Sequence, residues 1–423
     1  MSWPRRQLLA VMGSAATVLG GCTNRQERSG PPGPPPQFST ESVFSYTHLQ
    51  ASGNRVVEGR GGINAVTPVD IEIEGKPKWL LAAGETDSYW TVVTADGTAT
   101  THRVSGETSE QVVDHGSVST PPLGYQSKGS TGIIDAPVDC AEYSHPVVIN
   151  NGLLYVASDG DVVIWRDDEP TRLEVRAPVD ARIVRVDDGQ YAVYGQRTDR
   201  YRHGALGDTI EASSLVIVDT DAERIAREIE LDAPTVFEGF SPMVADLDSD
   251  GSAELITTVA DSDAGARIRA YGTDGRELST GPVYGPGWRH QLCVAPFGPD
   301  AGSELAVVRK PHVDRTVEFY RLTDTGLEVV ATQQGYASHT YGSRTLDGAV
   351  AGDLDGDGRT ELLAPTVDQW TLAALHRVEN GVQEAWALDL GGLLTTNVTG
   401  VALADDRLAV GAGASGHVRV WQG

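Results

Sequence analysis

The chain has 423 residues, and its 59 acidic and 33 basic side chains give a formal net charge of −26. This length suits one large repeat domain or two ordinary domains, and it exceeds what one small core requires. The charge disfavours nucleic acid and anionic lipid as partners, because the protein's own field repels both of them.

The first residues predict an export signal. A short basic start that includes Arg5 and Arg6 precedes an apolar stretch of small residues, which is too short for a comfortable membrane span. The arginine pair resembles a twin-arginine signal, which exports proteins in the folded state, although Pro4 stands where the pattern has Ser or Thr. Residues 1–21 are therefore expected to form a signal peptide.

The apolar stretch ends in the letters LGGC, which resemble a lipobox. This resemblance implies that Cys22 becomes a lipidated N-terminus, while a chance cysteine after an apolar run is the alternative. Residues 22–40 are rich in proline and lack apolar periodicity, which predicts an extended spacer. We therefore expect an exported protein that is anchored to the outer face of the cell membrane through Cys22.

Lysine occurs at only four positions, Lys76, Lys78, Lys128 and Lys310. An acidic composition that is poor in lysine resembles that of proteins from salt-loving microbes. A GC-rich genome that encodes an acidic secreted protein is the alternative explanation. In either case the negative net charge suits a protein that binds cations or that functions in concentrated salt.

Residues 41–423 show the pattern of an all-β repeat protein, in which short apolar or alternating runs are broken by Gly, Asp and Asn. The stretch DLDSDGSAEL at 246–255 returns as DLDGDGRTEL at 353–362. Each belongs to a unit of four strands in about fifty residues, which is the unit of a β-propeller blade. Seven units are counted, and six or eight stay open because Ser105–Ala136 either forms a loop or hides strands.

The last unit stops after its third strand, at the letters VRVWQG. A propeller has to close its ring, so the missing outer strand is expected from Glu41–Leu49 near the N-terminus. Such closure by the two chain ends would remove open sheet edges, which invite aggregation. A ring closed by packing alone is the alternative.

The repeated acidic turn predicts a metal site. Asp246, Asp248 and Asp250 alternate, so their carboxylates point to the inside of a tight loop, and Gly251 supplies the sharp turn. With Glu254 at the ninth position, the ligand set is all oxygen, which suits Ca²⁺. An EF-hand needs Glu at the twelfth position between two helices, whereas strands flank this loop.

The pattern D-x-D-x-D-G-x-x-E before an apolar strand resembles the FG-GAP (VCBS-type) repeat of integrin-α-like propellers. In that family the first, third, fifth and ninth residues give side-chain oxygens and the seventh gives its backbone carbonyl. The resemblance implies two calcium sites, at Asp246, Asp248, Asp250, Ser252 and Glu254, and at Asp353, Asp355, Asp357, Arg359 and Glu361. The ion is expected to staple each loop without taking part in catalysis. The alternative is an Asp-rich turn on an acidic surface.

A second candidate site lies in the loops that enter the innermost strands, which carry aromatic, His and Arg side chains. With this repeat register they are expected on one face around the channel mouth, opposite the acidic turns. Exposed aromatics beside Arg and His suit a sugar, a peptide or a small anion. Aromatics that only wedge blades together are the alternative. The candidate residues are Tyr143, His145, Phe240, Trp288, Arg289, His290, His339, Tyr341 and Arg344.

No metalloprotease, serine-hydrolase, nucleotide-binding or paired-cysteine zinc motif occurs in the sequence. The sequence therefore favours a non-enzymatic binding or scaffold module at the cell surface, with an unknown protein or polysaccharide ligand. The alternative is a propeller enzyme, either a polysaccharide lyase or a quinone-dependent dehydrogenase, that uses the channel face. That alternative rests on fold analogy alone.

Overall fold

The computed structural model describes residues 42–127, 130–166, 170–201, 204–283, 285–339 and 342–423. Within these ranges the chain is all-β, apart from three short 3₁₀ turns at Ile63–Ala65, Gly204–Leu206 and Ala404–Asp406. No helix in this part of the chain is long and apolar enough to cross a membrane. The predicted signal peptide, Cys22, the spacer to residue 40 and Tyr341 lie outside the described residues.

The strands are short and regularly spaced. Those of the first half of the chain are β1 (Val43–Tyr46), β2 (Val56–Arg60), β3 (Val69–Glu72), β4 (Pro77–Gly84), β5 (Ser88–Thr94), β6 (Thr98–Ser105), β7 (Thr108–Ser117), β8 (Leu123–Ser127), β9 (Ser130–Ile134), β10 (Val147–Ile149), β11 (Gly152–Val156), β12 (Val162–Trp165), β13 (Thr171–Leu173), β14 (Val184–Asp187), β15 (Gln190–Thr198) and β16 (Glu211–Asp219). Those of the second half are β17 (Arg224–Glu230), β18 (Val236–Ala245), β19 (Glu254–Ala260), β20 (Arg267–Gly272), β21 (Glu277–Thr280), β22 (Arg289–Ala295), β23 (Glu304–Arg309), β24 (Thr316–Thr323), β25 (Gly326–Gln334), β26 (Val350–Asp353), β27 (Glu361–Pro365), β28 (Thr371–Val378), β29 (Gly381–Asp389), β30 (Val398–Ala402), β31 (Leu408–Ala414) and β32 (His417–Gln422).

These strands form four-stranded antiparallel units around a closed ring, which confirms the predicted β-propeller. The units are β4–β7, β10–β13, β14–β17, β18–β21, β22–β25, β26–β29, and β30–β32 with β3. A single residue pair, Ala212 with Phe237, joins the third and fourth units into one sheet. A three-stranded sheet of β1, β8 and β9 stands between β4–β7 and β10–β13, in the stretch that the sequence left open as a loop or as strands.

The core lies between neighbouring sheets. Inner strands such as β19 and β22 are buried along their whole length, whereas outer strands such as β7 and β17 are mostly exposed. The side chains that end the third strands pack into these interfaces; they are Trp165, Tyr271, Tyr320, His376 and Trp421. The two described cysteines, Cys140 and Cys293, are buried free thiols.

Strands from both chain ends close the ring, but the N-terminal partner differs from the predicted one. β3 pairs antiparallel with β32, with Val69 opposite Val420. The predicted segment Glu41–Leu49 instead contains β1, which pairs with β8. The burial pattern of β3 explains why this strand pairs with β32. Val69 and Ile71 are buried while Asp70 and Glu72 are exposed, as an outer strand with one buried face requires.

The segment between β1 and β3 crosses the central channel. Its residues form hydrogen bonds with the first strands of four successive sheets; the pairs are Ala51–Arg185, Ser52–Val244, Asn54–Val294 and Arg55–Ala351. β2 then runs parallel to β26 on the channel side of that sheet. The backbone of this segment therefore lies where an open propeller would have its axial passage.

Candidate functional site

Two acidic turns occupy the same position in their sheets. The first joins β18 to β19 and the second joins β26 to β27, so both lie at the same end of the ring. In each turn three aspartates bring one carboxylate oxygen apiece within 4.8 Å of one another; the two sets are Asp246, Asp248, Asp250 and Asp353, Asp355, Asp357. This is the clustering that the repeated motif predicts.

Backbone amides hold the carboxylates of the first turn in place. The amide of Asp250 donates to Oδ1 of Asp246 and to Oδ1 of Asp248, each at 3.1 Å. The amide of Gly251 donates to Oδ2 of Asp246 at 3.0 Å, and its φ of +90° is a left-handed conformation that favours glycine. In the second turn the amide of Asp357 donates to Oδ1 of Asp355 at 3.1 Å, and that of Gly358 donates to Oδ1 of Asp353 at 3.2 Å.

The glutamate at the ninth position of each motif is buried beneath its turn. Oε2 of Glu254 accepts from the amide of Leu247 at 2.7 Å, and Oε2 of Glu361 accepts from that of Leu354 at 2.9 Å. Burial, reinforced by the neighbouring aspartates, raises the pKa of Glu254 to about 7 and that of Glu361 to about 8. Oε1 of Glu361 has no hydrogen-bond partner among the described residues.

These features fit a hard cation. The donor set consists of oxygen atoms alone, which is the preference of Ca²⁺. The raised pKa values of both glutamates and the unpartnered, buried Oε1 of Glu361 indicate closely spaced acidic groups whose charge is incompletely neutralised. In the first turn, no Arg or Lys of the described chain lies in an ion pair with these carboxylates. In the second, Arg359 pairs with Asp357, and the Trp386 indole donates to Asp355 at 2.9 Å.

A third turn, between β22 and β23, keeps only part of the motif. Asp300 and Glu304 stand at the fifth and ninth positions, while Pro296 and Gly298 replace the first two aspartates. Arg321 pairs with both carboxylates, and its Nη2 lies 2.8 Å from Asp300 Oδ1 and 2.9 Å from Glu304 Oε1. In this turn a side chain of the protein, Arg321, therefore balances the charge of the two carboxylates.

Most of the predicted ligand face is buried inside the ring. Six of its residues are at most 7% exposed, so they do not form an open surface; they are His145, Phe240, Trp288, Arg289, His290 and His339. The Trp288 ring stacks on His290 with centroids 4.5 Å apart, and His339 meets the same indole edge-on at 5.4 Å. These side chains are buried, and not exposed as predicted, because they pack against one another. This matches the alternative in which the aromatics only wedge blades together.

A charged network ties the crossing segment to the channel wall. Nη1 of Arg55 donates to Asp347 Oδ1 at 2.6 Å, and Arg182 donates to both oxygens of Asp347 at 3.0 and 2.8 Å. Burial alone would raise the pKa of Asp347, but Arg182 and Arg55 hold it below its ordinary value. The Asp347 carboxylate thus forms ion pairs with two guanidinium groups.

Buried histidines lie beside this network. The rings of His48 and His145 stack with centroids 4.9 Å apart, and the closest ring nitrogens are 3.2 Å apart. Burial, together with the charge of Arg182, lowers the pKa of His145 to about 4. Burial and His312 lower the pKa of His339 to about 3. Both side chains are therefore neutral near pH 7.

An open pocket of about 390 Å³ lies on the face opposite the acidic turns, among the loops that lead into β4, β8, β10, β26 and β30. We call it the basic pocket and define it by its charged and aromatic lining: Lys76, Lys78, Trp79, Tyr143 and Arg344. The Lys78 ammonium lies 3.9 Å from the centroid of the Trp79 ring, and the Arg344 guanidinium lies 4.2 Å from that of Tyr143. Burial lowers the pKa of Lys78, and Glu142 opposes this effect.

The charge of the basic pocket is only partly neutralised. Arg344 pairs with Asp180 at 3.2 Å and with Asp208 at 2.6 Å. Within the part of the chain that the structure describes, neither Lys76 nor Lys78 forms an ion pair. Two ammonium groups are therefore available to an anionic ligand.

Two of the predicted ligand-face residues, Tyr143 and Arg344, thus line an open pocket, but sequence reasoning missed three others. Lys76, Lys78 and Trp79 come from the short stretch GKPKW, which leads into β4 and includes its first three residues. The signal was present in the composition, because this stretch holds two of the four lysines of a chain whose net charge is −26. A local concentration of the rare positive residue marks a place where the ligand is negative.

No protein-family model matches the chain, and no curated protein matches its sequence. Among solved structures, the fold is similar to that of quinohemoprotein alcohol dehydrogenase ADHIIG from Pseudomonas putida HK5, with a TM-score of 0.50 and 9% identity over 90% of this chain and 80% of that chain. It is also similar to BamB from Moraxella catarrhalis, with a TM-score of 0.42 and 12% identity over 85% of this chain and 99% of that chain. At these identities the similarity to the dehydrogenase supports the β-propeller fold alone.

Proposed function

We propose that this protein is an exported, lipid-anchored binding module whose ligand site is the basic pocket and whose two acidic turns bind Ca²⁺. The observation that carries the proposal is the pocket itself, where Lys76 and Lys78 stand beside two aromatic rings in a strongly acidic chain. Calcium has a structural role in this proposal. Each ion would be held by the aspartates and the buried glutamate of one turn, and it would supply the missing positive charge.

An acidic saccharide is the ligand class that best matches the lining of the basic pocket. The ammonium groups of Lys76 and Lys78 suit carboxylate or sulfate groups, which are negative at every physiological pH. The half-buried ring of Tyr143 is covered by Arg344 on one face, and its remaining apolar surface would pack against the C–H face of a sugar ring. The volume of about 390 Å³ is within the range of small-ligand pockets and accommodates a short segment of a polysaccharide.

The position of β1 supports an outward-facing pocket. Val43 pairs with Gln126 near the end of β8, and both residues line a pocket together with Gly84 and Ala402, which end the first strands β4 and β30 on the side of the acidic turns. A spacer that precedes Val43 would therefore leave the ring on the acidic-turn face. If the chain is anchored at Cys22, that face points to the membrane and the basic pocket points away from it, where a polysaccharide is accessible.

The crossing segment favours binding over catalysis in the channel. Residues of this segment hydrogen-bond along the first strands of four sheets, and the histidines His145, His290 and His339 are at most 4% exposed. A substrate would have to displace this segment to reach them. The basic pocket requires no such change.

The proposal is tested by titrating the purified full chain with oligogalacturonate and, in parallel, with a neutral glucan of the same length. We expect binding of the acidic oligomer only, and at least a tenfold weaker affinity for Lys78→Glu and for Tyr143→Ala. Lys310→Glu is the matched control, because Lys310 lies outside the pocket and pairs with Asp314 at 3.6 Å. Equal affinity of Lys78→Glu and the unmodified chain, or no binding of any acidic glycan, contradicts the proposal.

A further inference from the structure

Three exposed apolar side chains lie on the same face of the ring as the basic pocket, and we call them the apolar patch. They are Trp370 (52% exposed), Val367 (41%) and Leu393 (39%). Val367 and Trp370 belong to the turn between β27 and β28, and Leu393 belongs to the loop that leads into β30. Among the described residues, no other Trp or Phe is as exposed as Trp370. Single exposed aliphatic side chains are ordinary, but a largely exposed tryptophan with two aliphatic neighbours indicates an interaction site.

Backbone contacts join the apolar patch to the basic pocket. The amide of Leu390 donates to the carbonyl oxygen of Trp370 at 2.9 Å. The amide of Leu394 donates to the carbonyl oxygen of Gln369, also at 2.9 Å. Thr395, which follows Leu394, lines the basic pocket. The Cα atoms of Trp370 and Thr395 are therefore at most roughly 14 Å apart, a distance that a short oligosaccharide spans.

A side-chain contact provides a second connection. Nε2 of Gln369 donates to the carbonyl oxygen of His339 at 3.1 Å. His339 belongs to the loop that leads into β26, and the same loop supplies Arg344 to the wall of the basic pocket. The turn that carries Trp370 is thus held against two of the loops that line the pocket. A ligand that leaves the pocket on this side meets the apolar patch.

The charge beside the apolar patch is opposite in sign to the charge of the two lysines in the pocket. Asp368 lies in the same turn as Trp370 and is exposed. Its Oδ1 accepts from the Thr366 hydroxyl at 2.7 Å and from the Trp370 amide at 3.0 Å. These hydrogen bonds lower the pKa of Asp368, so its side chain is a carboxylate near pH 7.

A second carboxylate adds to this negative charge. Asp389 is exposed and directly precedes the residue whose amide donates to Trp370. Arg419 donates to the carbonyl oxygen of Asp389 at 2.9 Å, but its ion pair is with Asp70 at 2.6 Å. Within the described part of the chain, neither Asp368 nor Asp389 forms an ion pair. The apolar patch therefore repels an acidic sugar, whereas an uncharged sugar meets no such repulsion.

The exposed indole matches a sugar unit without charge, because its flat apolar surface packs against the C–H face of a pyranose ring. We propose that the apolar patch is a second subsite for the saccharide of the proposed function, on which this inference rests. The basic pocket binds an acidic sugar unit, and the apolar patch binds an uncharged unit of the same chain. The ligand is thus a polysaccharide that contains both acidic and uncharged sugars.

Ligands of different length and composition test the proposal on the full chain. The probes are a hyaluronan hexasaccharide, in which uronic acid alternates with N-acetylglucosamine, its disaccharide unit, and hexagalacturonate. We expect the hyaluronan hexasaccharide to bind at least tenfold more tightly than the disaccharide. Trp370→Ala should remove this gain, so that the two ligands bind equally. The same substitution should change the affinity for hexagalacturonate much less, because Asp368 repels an acidic unit at the patch.

Two further variants and one control sharpen the test. Trp370→Phe keeps a flat ring and should retain most of the gain. Asp368→Asn should strengthen the binding of hexagalacturonate severalfold. Leu278→Ala is the matched control, because Leu278 is 42% exposed but lies on the outer strand β21, away from the pocket, and it should leave every affinity unchanged.

The outcomes separate this inference from the proposed function. If no acidic glycan binds, the proposed function fails and this inference fails with it. If Lys78→Glu weakens binding of the hyaluronan hexasaccharide while Trp370→Ala does not, the basic pocket stands and the second subsite is overturned. Equal affinities of the unmodified chain for the hyaluronan hexasaccharide and its disaccharide overturn it as well.

Discussion

The guanidinium of Arg321 forms two hydrogen bonds with the carboxylate of Asp300, at 3.1 and 2.8 Å, in the turn that has lost half of the acidic motif. Arg321 follows Tyr320, which pairs with Leu305 across β23 and β24. In the two complete turns the corresponding pairs are Leu255 with Tyr271 and Leu362 with Leu375. The residues that follow are Gly272 and His376 instead of Arg. The protein thus places a cationic side chain at the turn in which the first two aspartates of the motif are missing.

Removal of calcium should destabilise the protein through the two complete turns. At free Ca²⁺ of 100 times the dissociation constant, each independent site is expected to add roughly 2.7 kcal/mol to the free energy of unfolding. Asp248→Asn together with Asp355→Asn should abolish this gain and bring Tm in Ca²⁺ down to the value in chelator. Differential scanning calorimetry in high salt, with excess Ca²⁺ and then with a selective chelator, measures the effect. An unchanged melt would show that the turns are solvated or hold another cation.

Arg321→Ala should destabilise the third turn, and Ca²⁺ should not compensate. Buried Glu304 loses one of its two arginine partners, with an expected cost of roughly 1–3 kcal/mol. Two carboxylates without the first two aspartates are too few for a calcium site. Arg185→Ala is the control, because Arg185 is 51% exposed, pairs with exposed Asp188 outside the acidic turns, and such pairs contribute below about 1 kcal/mol. Urea unfolding with and without Ca²⁺ checks both values, and recovery of the Arg321 variant in Ca²⁺ would contradict the argument.

The buried His145 should make the fold sensitive to acid. Its pKa is about 4 in the folded protein and about 6.5 when the chain is unfolded, so the unfolded state takes up the proton first as pH falls. The stabilisation is complete above pH 6.5 and is lost between pH 6.5 and about 4, with a total of roughly 3 kcal/mol.

His48 stacks on His145, and burial and then the charge of Arg182 disfavour a protonated ring, whereas Asp347 opposes this effect. Denaturant unfolding from pH 7 to pH 4 should therefore show a steeper loss of stability for the unmodified chain than for His145→Gln. Parallel pH profiles of the two proteins would refute this assignment.

Asp347→Asn should cost far more than an equivalent change at the surface. It leaves Arg55 and Arg182 without their shared counter-charge in the channel wall, and breaking such a buried pair costs roughly 3–5 kcal/mol. Asp70→Asn removes the partner of Arg419 on the outer strand, where Asp70 is 38% exposed, and should cost below about 1 kcal/mol. Equilibrium unfolding of the two variants gives the comparison, and similar costs would argue against the importance of the channel network.

The sequence identifies those parts of the fold that repeat. Two acidic turns with the same motif locate β18–β19 and β26–β27, and alternating apolar runs predict strands in the other sheets. The sequence predicts the wrong strand as the one that closes the ring. β1 and β3 are both short alternating segments, and they differ only in the strand with which each pairs in the folded protein. The channel-face prediction includes Tyr143 and Arg344, but burial of Trp288 and its neighbours depends on packing between sheets that are distant in sequence.

The contact between β3 and β32 has a consequence for how this protein is made. Asp70 and Arg419, which face each other in the closing sheet, are 349 residues apart in the chain. Joining such remote segments carries a large entropic cost, and folds with many contacts of this kind form slowly. Until β32 has been synthesised, the incomplete ring exposes a strand edge to other chains. The ring therefore cannot close until translation has passed β32, which ends at Gln422.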